Sequence, residues 1–193
     1  MTNVTINNVP IEVPEGTSIL WAAKKANFNI PTLCQHPDLK PEGQCGICVV
    51  EVEGIPGLKR ACMTPVGEGW KIHTHTPKVM KVRKQLVELI LSNHDTDCLT
   101  CMKNNHCELQ RLAATLGINT IEYPKFEEKL PIDRTSVAIV RDPNKCILCG
   151  RCIQVCSNVQ TVNALAVNHR GSDTLITTAF DAGLGNSHCI NCG

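Results

Sequence analysis

The first 77 residues alternate between apolar and polar positions in a way that predicts short strands around one helix. In "NVTINNVPIEV", apolar residues recur at every second position on both sides of an Asn-Asn-Val-Pro turn, which predicts a β-hairpin with a half-buried face. A helix capped by Thr17 or Ser18 follows, and its apolar side carries Ile19, Ala22 and Ala23. The stretches "CVVEVEG" and "WKIHTHT" alternate like strands. This part of the chain is therefore predicted to be a small α+β domain.

Beyond Thr76 the apolar spacing becomes that of helices. Thr76 and Pro77 form a helix start, and the predicted apolar stripe of this helix comprises Val79, Val82, Leu86, Leu89 and Ile90. The stretch "CELQRLAATLG" predicts another helix that ends at Gly117 and turns inward Leu109, Leu112, Ala113 and Leu116. Residues 118–144 contain Pro124, Pro131 and Pro143, so we interpret them as a linker.

The composition favours metal ligation over disulfide pairing. The chain has 193 residues, 42% of them hydrophobic and 3% aromatic, and it contains 13 cysteines. An odd number of cysteines cannot pair completely. We find no signal peptide and no apolar run approaching about 18 residues, so we expect a cytoplasmic protein without a membrane span, whose thiols stay reduced.

The charge distribution argues against a nucleic-acid partner, because the formal net charge is only +1. Four basic residues lie close together after Pro77, and we expect them on the solvated face of a helix. They are Lys78, Lys81, Arg83 and Lys84.

The first cysteine group lies in the α+β part of the chain and consists of Cys34, Cys45, Cys48 and Cys62. Three of these thiolates lie on one glycine-containing loop, and the fourth comes from a nearby strand. The arrangement suits a 2Fe–2S cluster, because each of its two irons takes two sulfurs. We therefore predict a β-grasp, plant-type-like 2Fe–2S ferredoxin domain over residues 1–77.

The second group combines a histidine with three cysteines: His94, Cys98, Cys101 and Cys107. We predict a small helical domain over residues 78–117 in which these side chains bind one 4Fe–4S cluster, His94 through one ring nitrogen. A tetrahedral zinc ion is the alternative for this group taken alone. A neutral imidazole in place of a thiolate removes a negative charge, so we expect His94 to raise the cluster's reduction potential.

The third group lies in residues 145–193, predicted to be a bacterial two-cluster 4Fe–4S ferredoxin domain. The run "CILCGRCIQVC" has the ferredoxin spacing and supplies Cys146, Cys149, Cys152 and Cys156. In two-cluster ferredoxins the fourth cysteine binds the other cluster, so we expect Cys156 to join Cys189 and Cys192. Each of these two clusters would have one ligand missing from the sequence, and we expect the chain to be a fragment. Ser157 stands where such runs have proline, so the helix should continue there.

The order of these groups resembles the N-terminal electron-entry region of the large subunit of FeFe hydrogenases. The stretches "DPNKCILCGRCIQVC" and "TLITTAFDAGLGNSHCINCG" are similar to the corresponding hydrogenase segments. The same modules occur in the large subunit of respiratory complex I and in NAD(P)-dependent formate dehydrogenases. The resemblance covers essentially the whole chain.

The resemblance implies a one-electron relay within an oxidoreductase, with one 2Fe–2S cluster, three 4Fe–4S clusters and no catalytic residue in the chain itself. A catalytic H-cluster domain would follow Gly193. The partners would be flavin- and NAD(P)-binding and small iron–sulfur subunits, as in the multisubunit bifurcating enzymes, or ferredoxin. The alternatives are the relay region of a formate dehydrogenase, a stand-alone relay subunit, and a zinc or iron–sulfur sensor.

Overall fold

The computed structural model describes residues 1–124 and 129–193, which form two compact units. The first unit comprises Met1–Leu89 and Lys103–Thr120, and the second comprises Ile90–Met102 and Ile121–Gly193. Strands and helices occur in both units, which confirms the predicted α+β class. The division into domains at residues 77, 117 and 144 stays a prediction. Within the described ranges, no helix has the length and apolar character needed to cross a membrane.

The first unit is built on a five-stranded sheet with the strand order β2-β1-β5-β3-β4. Its strands are β1 (Thr2–Ile6), β2 (Val9–Val13), β3 (Val49–Val52), β4 (Lys59–Arg60) and β5 (Lys71–His73). Strands β1 and β5 are parallel, and the other neighbours are antiparallel. With one helix between β2 and β3, this is the predicted β-grasp arrangement.

Helix α1 (Ile19–Lys25) begins where the sequence places it. Of the two candidate caps, it is the Ser18 hydroxyl that accepts a hydrogen bond from the backbone N–H of Trp21, at 3.4 Å. The predicted apolar side of this helix is fully buried. It packs into the same hydrophobic core as Cys48 and Cys62, which belong to the same cluster of buried residues. Two predicted ligands are thus held by the hydrophobic core itself.

The β1–β2 turn needs two residues in the left-handed region, since Asn7 and Asn8 have φ values of 46° and 69°. The Asn7 amide also exchanges hydrogen bonds with Thr74, whereas no hydrogen bond of the Asn8 side chain is found within the described ranges. Asn8 therefore contributes to the turn through its left-handed backbone conformation and not through its side chain.

We expect Asn8→Ala to lower the free energy of unfolding of the first unit by about 1 kcal/mol, because alanine is strained at positive φ. Asn8→Gly should retain or slightly raise the stability, since glycine adopts this conformation freely. Trp21 and Trp70 both belong to the first unit, so urea unfolding followed by tryptophan fluorescence measures the difference. An alanine variant as stable as the glycine variant would contradict this account of the turn.

Helix α2 (Pro77–Ser92) begins at the predicted cap, because the Thr76 hydroxyl accepts the N–H of Val79 at 3.3 Å. The predicted faces are partly wrong. Arg83, expected in solvent, is 1% exposed, and Leu89, expected in the apolar stripe, is 47% exposed. The reason is that the Arg83 guanidinium finds two backbone carbonyls inside the unit. Helix α3 (Glu108–Thr115) buries Leu109 and Leu112, and Gly117 follows it with φ of 64°.

The second unit contains little regular structure. It has a short helix α4 (Arg151–Gln154), the antiparallel strands β6 (Ala166–Asn168) and β7 (Leu175–Thr177), and several single 3₁₀ turns. A π-helical turn, Val155–Val159, continues α4 through Ser157, so the prediction that the helix extends past this position is confirmed. Among the residues described for this unit, the buried apolar side chains are Ala164, Ile176 and Leu184. So small a core is typical of modules that rely on bound metal for stability.

Candidate metal centres

The structure brings the four cysteines of the first group together as two pairs. Cys34 hydrogen-bonds to Cys45, and the Sγ atoms of Cys48 and Cys62 lie 3.4 Å apart. All four are free thiols. The hydrogen bond to Cys48 and burial both raise the pKa of Cys62. Negative charge on Cys34 and Cys45 raises it further, so the two pairs lie close together.

Hydrogen bonding within each pair separates the acidities of its two thiols. It lowers the pKa of Cys45 to about 5 and that of Cys48 to about 7, although burial opposes both shifts. The pKa values of their partners Cys34 and Cys62 are raised by the same hydrogen bonds. A backbone N–H of the loop, that of Ile47, adds to the lowering for Cys45. Each pair therefore favours one thiolate, which is the form that binds metal.

This donor set fits a binuclear cluster. In a 2Fe–2S cluster each iron takes two protein sulfurs, and the structure supplies two sulfur pairs side by side. In residues 1–124 and 129–193, no three or more His, Cys, Asp or Glu side chains converge as ligands of a single metal ion. The assignment of Cys34, Cys45, Cys48 and Cys62 to one cluster stays a prediction, and the paired geometry supports it.

The members of the second group belong to different units. His94, Cys98 and Cys101 lie in the second unit, and Cys107 lies in the first, where it is the N-cap of α3. The Cys107 sulfur accepts the backbone N–H of Gln110 at 3.5 Å. That these four side chains bind one 4Fe–4S cluster stays a prediction.

The surroundings of His94 keep its imidazole neutral, as a metal ligand must be. Burial and then the positive charge of Lys145 lower the pKa of His94, and its Nδ1 atom is buried with no hydrogen-bond partner among the described residues. A buried nitrogen without a partner is unfavourable in a metal-free protein, and a metal bond would satisfy it.

An ion pair for which the sequence gives no signal joins the His94 segment to the ferredoxin run within the second unit. The Lys145 ammonium lies 2.9 Å from the Asp95 carboxylate and lowers its pKa to about 2. The backbone N–H of Asp95 also donates to the carbonyl of Asn144 at 3.1 Å. As a result, His94 and Cys146 line the same cavity, of about 540 Å³. Spacing along the chain gives no signal for a pair fifty positions apart.

The cysteines of the ferredoxin run receive hydrogen bonds from nearby backbone amides. The Cys146 sulfur accepts the N–H of Leu148 at 3.4 Å, and the Cys156 sulfur accepts that of Ala164 at 3.1 Å. Local desolvation raises the pKa of Cys152 although the residue as a whole is exposed, and the charges of Cys146 and Cys149 raise it further, so these three thiols are neighbours. Crossed ligation, in which Cys156 leaves this trio and joins Cys189 and Cys192, stays a prediction.

Residues of the predicted linker hold the segment that leads to Cys189. The Asp133 carboxylate accepts the backbone N–H of Leu184 at 2.8 Å, and the Thr135 hydroxyl accepts that of Gly185 at 2.9 Å. A side chain at Gly185 would overlap the Thr135 carbonyl, so only glycine fits this approach. The only sequence signal was the Asp-x-Thr pattern, in which Asp133 accepts from Thr135 and forms a turn. Residues 125–128 of this linker lie outside the described residues.

Comparison with known proteins matches three segments of the chain to iron–sulfur families. They are a 2Fe-2S iron-sulfur cluster binding domain over residues 1–77, the NADH-ubiquinone oxidoreductase-G iron-sulfur binding region over 83–122, and a 4Fe-4S binding domain over 139–158. A chain in the crystal structure of NAD⁺-reducing [NiFe]-hydrogenase in the H₂-reduced state superposes with a TM-score of 0.88 at 30% identity. The match covers 96% of this chain and 79% of that one. The chain belongs to the iron–sulfur electron-transfer family of hydrogenases and NAD(P)H oxidoreductases.

Two longer relatives are similar to this chain along its whole length. The NADP-reducing hydrogenase subunit HndD of Solidesulfovibrio fructosivorans is 39% identical over all of this chain, which spans 34% of HndD. The NADPH-Fe(3+) oxidoreductase subunit alpha of Geobacter sulfurreducens is 38% identical over all of it, and the chain spans 23% of that subunit. The chain thus spans about a third or less of these two relatives.

Proposed function

We propose that this chain is the electron-transfer region of an FeFe hydrogenase, where it passes single electrons between a partner and a catalytic H-cluster domain. The partner would be a flavin- and NAD(P)-binding subunit or ferredoxin. The observation that carries the electron-transfer role is the meeting of Cys34, Cys45, Cys48 and Cys62 as two sulfur pairs. The similarity of the whole chain to a hydrogenase subunit named as NADP-reducing supports the hydrogenase assignment.

The residues of the chain would hold one 2Fe–2S cluster in the first group and three 4Fe–4S clusters in the others, and such clusters supply one-electron transfer when bound. The protein's own part is to bury the sulfurs and orient them. Cys48 and Cys62 are 1% and 3% exposed, which excludes water from that pair. Backbone amides donate to Cys146 and Cys156 and stabilise negative charge on the sulfurs.

The Asp95–Lys145 pair supports a serial arrangement, because it keeps the His94 segment and the ferredoxin run in the same unit. A relay requires successive centres to lie near one another, and His94 and Cys146 face one cavity. The neutral His94 would give its centre a different potential from the centres with thiolate ligands only.

A second candidate function is a small relay subunit without a catalytic domain on the same polypeptide. The similarity to the NAD⁺-reducing [NiFe]-hydrogenase structure favours this candidate, because the match covers 79% of the similar chain in that structure. The partner proteins would then contain the catalytic metal, and this chain would again pass single electrons between them.

The two candidates differ in whether H₂ can reduce the clusters of this chain without the partner subunits. The native complex that contains this chain is purified anaerobically, and its clusters are followed by electron paramagnetic resonance (EPR) while H₂ and NAD(P)H are added separately. For the hydrogenase we expect H₂ to reduce the clusters even after the partner subunits are removed. Reduction by H₂ only with the partners present would favour the relay subunit. Clusters that respond to neither reductant would overturn both candidates.

A further inference from the structure

Arg83 is a buried cation whose guanidinium contacts the backbone on both sides of Cys48, a predicted ligand of the 2Fe–2S cluster. It is 1% exposed and is the largest of the fully buried side chains. Its Nε atom donates to the carbonyl of Ile47 at 3.0 Å, and a terminal nitrogen donates to the carbonyl of Val49 at 2.7 Å. These two carbonyls flank Cys48, which is itself 1% exposed.

The charge of this guanidinium has no acidic partner in an ion pair within residues 1–124 and 129–193. A buried charge without a counter-charge is strongly unfavourable, and two neutral carbonyls compensate it only partly. Burial lowers the pKa of Arg83 to about 10, and charge on Cys48 acts in the opposite direction, so the guanidinium stays positive at neutral pH.

A 2Fe–2S cluster bound at the predicted ligand Cys48, between these two carbonyls, would supply the counter-charge. Four cysteine thiolates around a 2Fe–2S cluster leave the site with net negative charge, and that charge increases by one when the cluster accepts an electron. A fixed positive charge nearby stabilises the electron-rich form more than the oxidised form, and the low-dielectric surroundings strengthen this effect.

We propose that Arg83 is the counter-charge of the 2Fe–2S site and raises its reduction potential, in addition to fixing the Cys45–Cys48 loop through the two carbonyls. The inference rests on the proposed function, because it requires a cluster at Cys34, Cys45, Cys48 and Cys62. The Arg83 hydrogen bonds go to backbone carbonyls and not to a predicted ligand side chain, so it is a positioning and tuning residue and not a catalytic one.

The test is an EPR redox titration of the 2Fe–2S signal in the full chain, with iron and acid-labile sulfide measured on each sample. We expect Arg83→Met to keep the signal and to lower the ratio of reduced to oxidised cluster at a fixed ambient potential about tenfold, which is about 59 mV for one electron. Arg83→Lys keeps the charge and should change the ratio much less. Lys81→Met, which removes an exposed charge from the same helix, is the matched control and should change it little.

A signal in Arg83→Met whose potential moves no more than that of Lys81→Met would overturn the proposal. If Arg83→Met does not fold, Arg83→Gln removes the charge and retains a hydrogen-bond donor, and the same shift is expected. If both neutral variants lose the cluster and Arg83→Lys keeps it, the charge is required and the proposal holds. If Arg83→Lys also loses it, Arg83 acts through its hydrogen bonds alone and the proposal falls. A wild-type chain without any 2Fe–2S signal would instead refute the proposed function.

Discussion

Replacing Cys48 by serine is expected to abolish the 2Fe–2S signal of the chain. Cys48 forms one of the two sulfur pairs with Cys62 and is 1% exposed, so solvent has little access to the position of its sulfur. One iron would keep a single protein sulfur in place of the two that each iron of a 2Fe–2S cluster takes, which weakens its hold on the cluster. The buried serine hydroxyl adds a cost of about 1–3 kcal/mol if it finds no partner.

The measurement is the EPR spectrum of the reduced protein together with its iron and sulfide content. Cys101→Ser is the matched control, because Cys101 belongs to the second unit and its loss should leave the 2Fe–2S signal intact. A Cys48→Ser variant with an unchanged 2Fe–2S spectrum would show that Cys48 is not a ligand.

Replacing His94 by cysteine should keep a 4Fe–4S cluster and lower its reduction potential. A thiolate brings a negative charge where the half-buried imidazole is neutral, and the added charge disfavours the electron-rich state. We expect the ratio of reduced to oxidised cluster at a fixed potential to fall about a hundredfold, or about 120 mV. Redox titration of the 4Fe–4S signals measures this shift.

His106 provides the control for this experiment. It precedes Cys107 in the sequence and is exposed, and its position does not match a ligand spacing. His106→Cys should leave all potentials unchanged. If His94→Cys changed neither the potential nor the cluster spectrum, His94 would be a bystander.

Several elements could be predicted from the sequence because their determinants are local. The β1–β2 turn, the cap of α1 and the start of α2 each depend on residues within four positions of one another. The extension of the helix past Ser157 also follows from a local property, since serine keeps the backbone N–H that proline lacks.

The faces of α2 were less predictable. Hydrophobic periodicity assigns arginine to solvent, yet Arg83 is buried because it meets carbonyls 34 and 36 positions earlier in the chain. Such a partner cannot be inferred from the residues around Arg83. Leu89, in turn, lies on the exposed side of the helix although it continues the apolar stripe.

The predicted metal-ligand groups and the short elements around them can be recognised from the sequence, because ligand spacing and turn chemistry act over a few residues. The division of the first group into Cys34 with Cys45 and Cys48 with Cys62 depends on how the whole unit folds. The same holds for the ion pair of Asp95 with Lys145 and for the hydrogen bonds of Arg83 to the carbonyls on either side of Cys48. These contacts join distant parts of the chain, and they form because buried charges and polar atoms must find partners wherever the folded backbone places them.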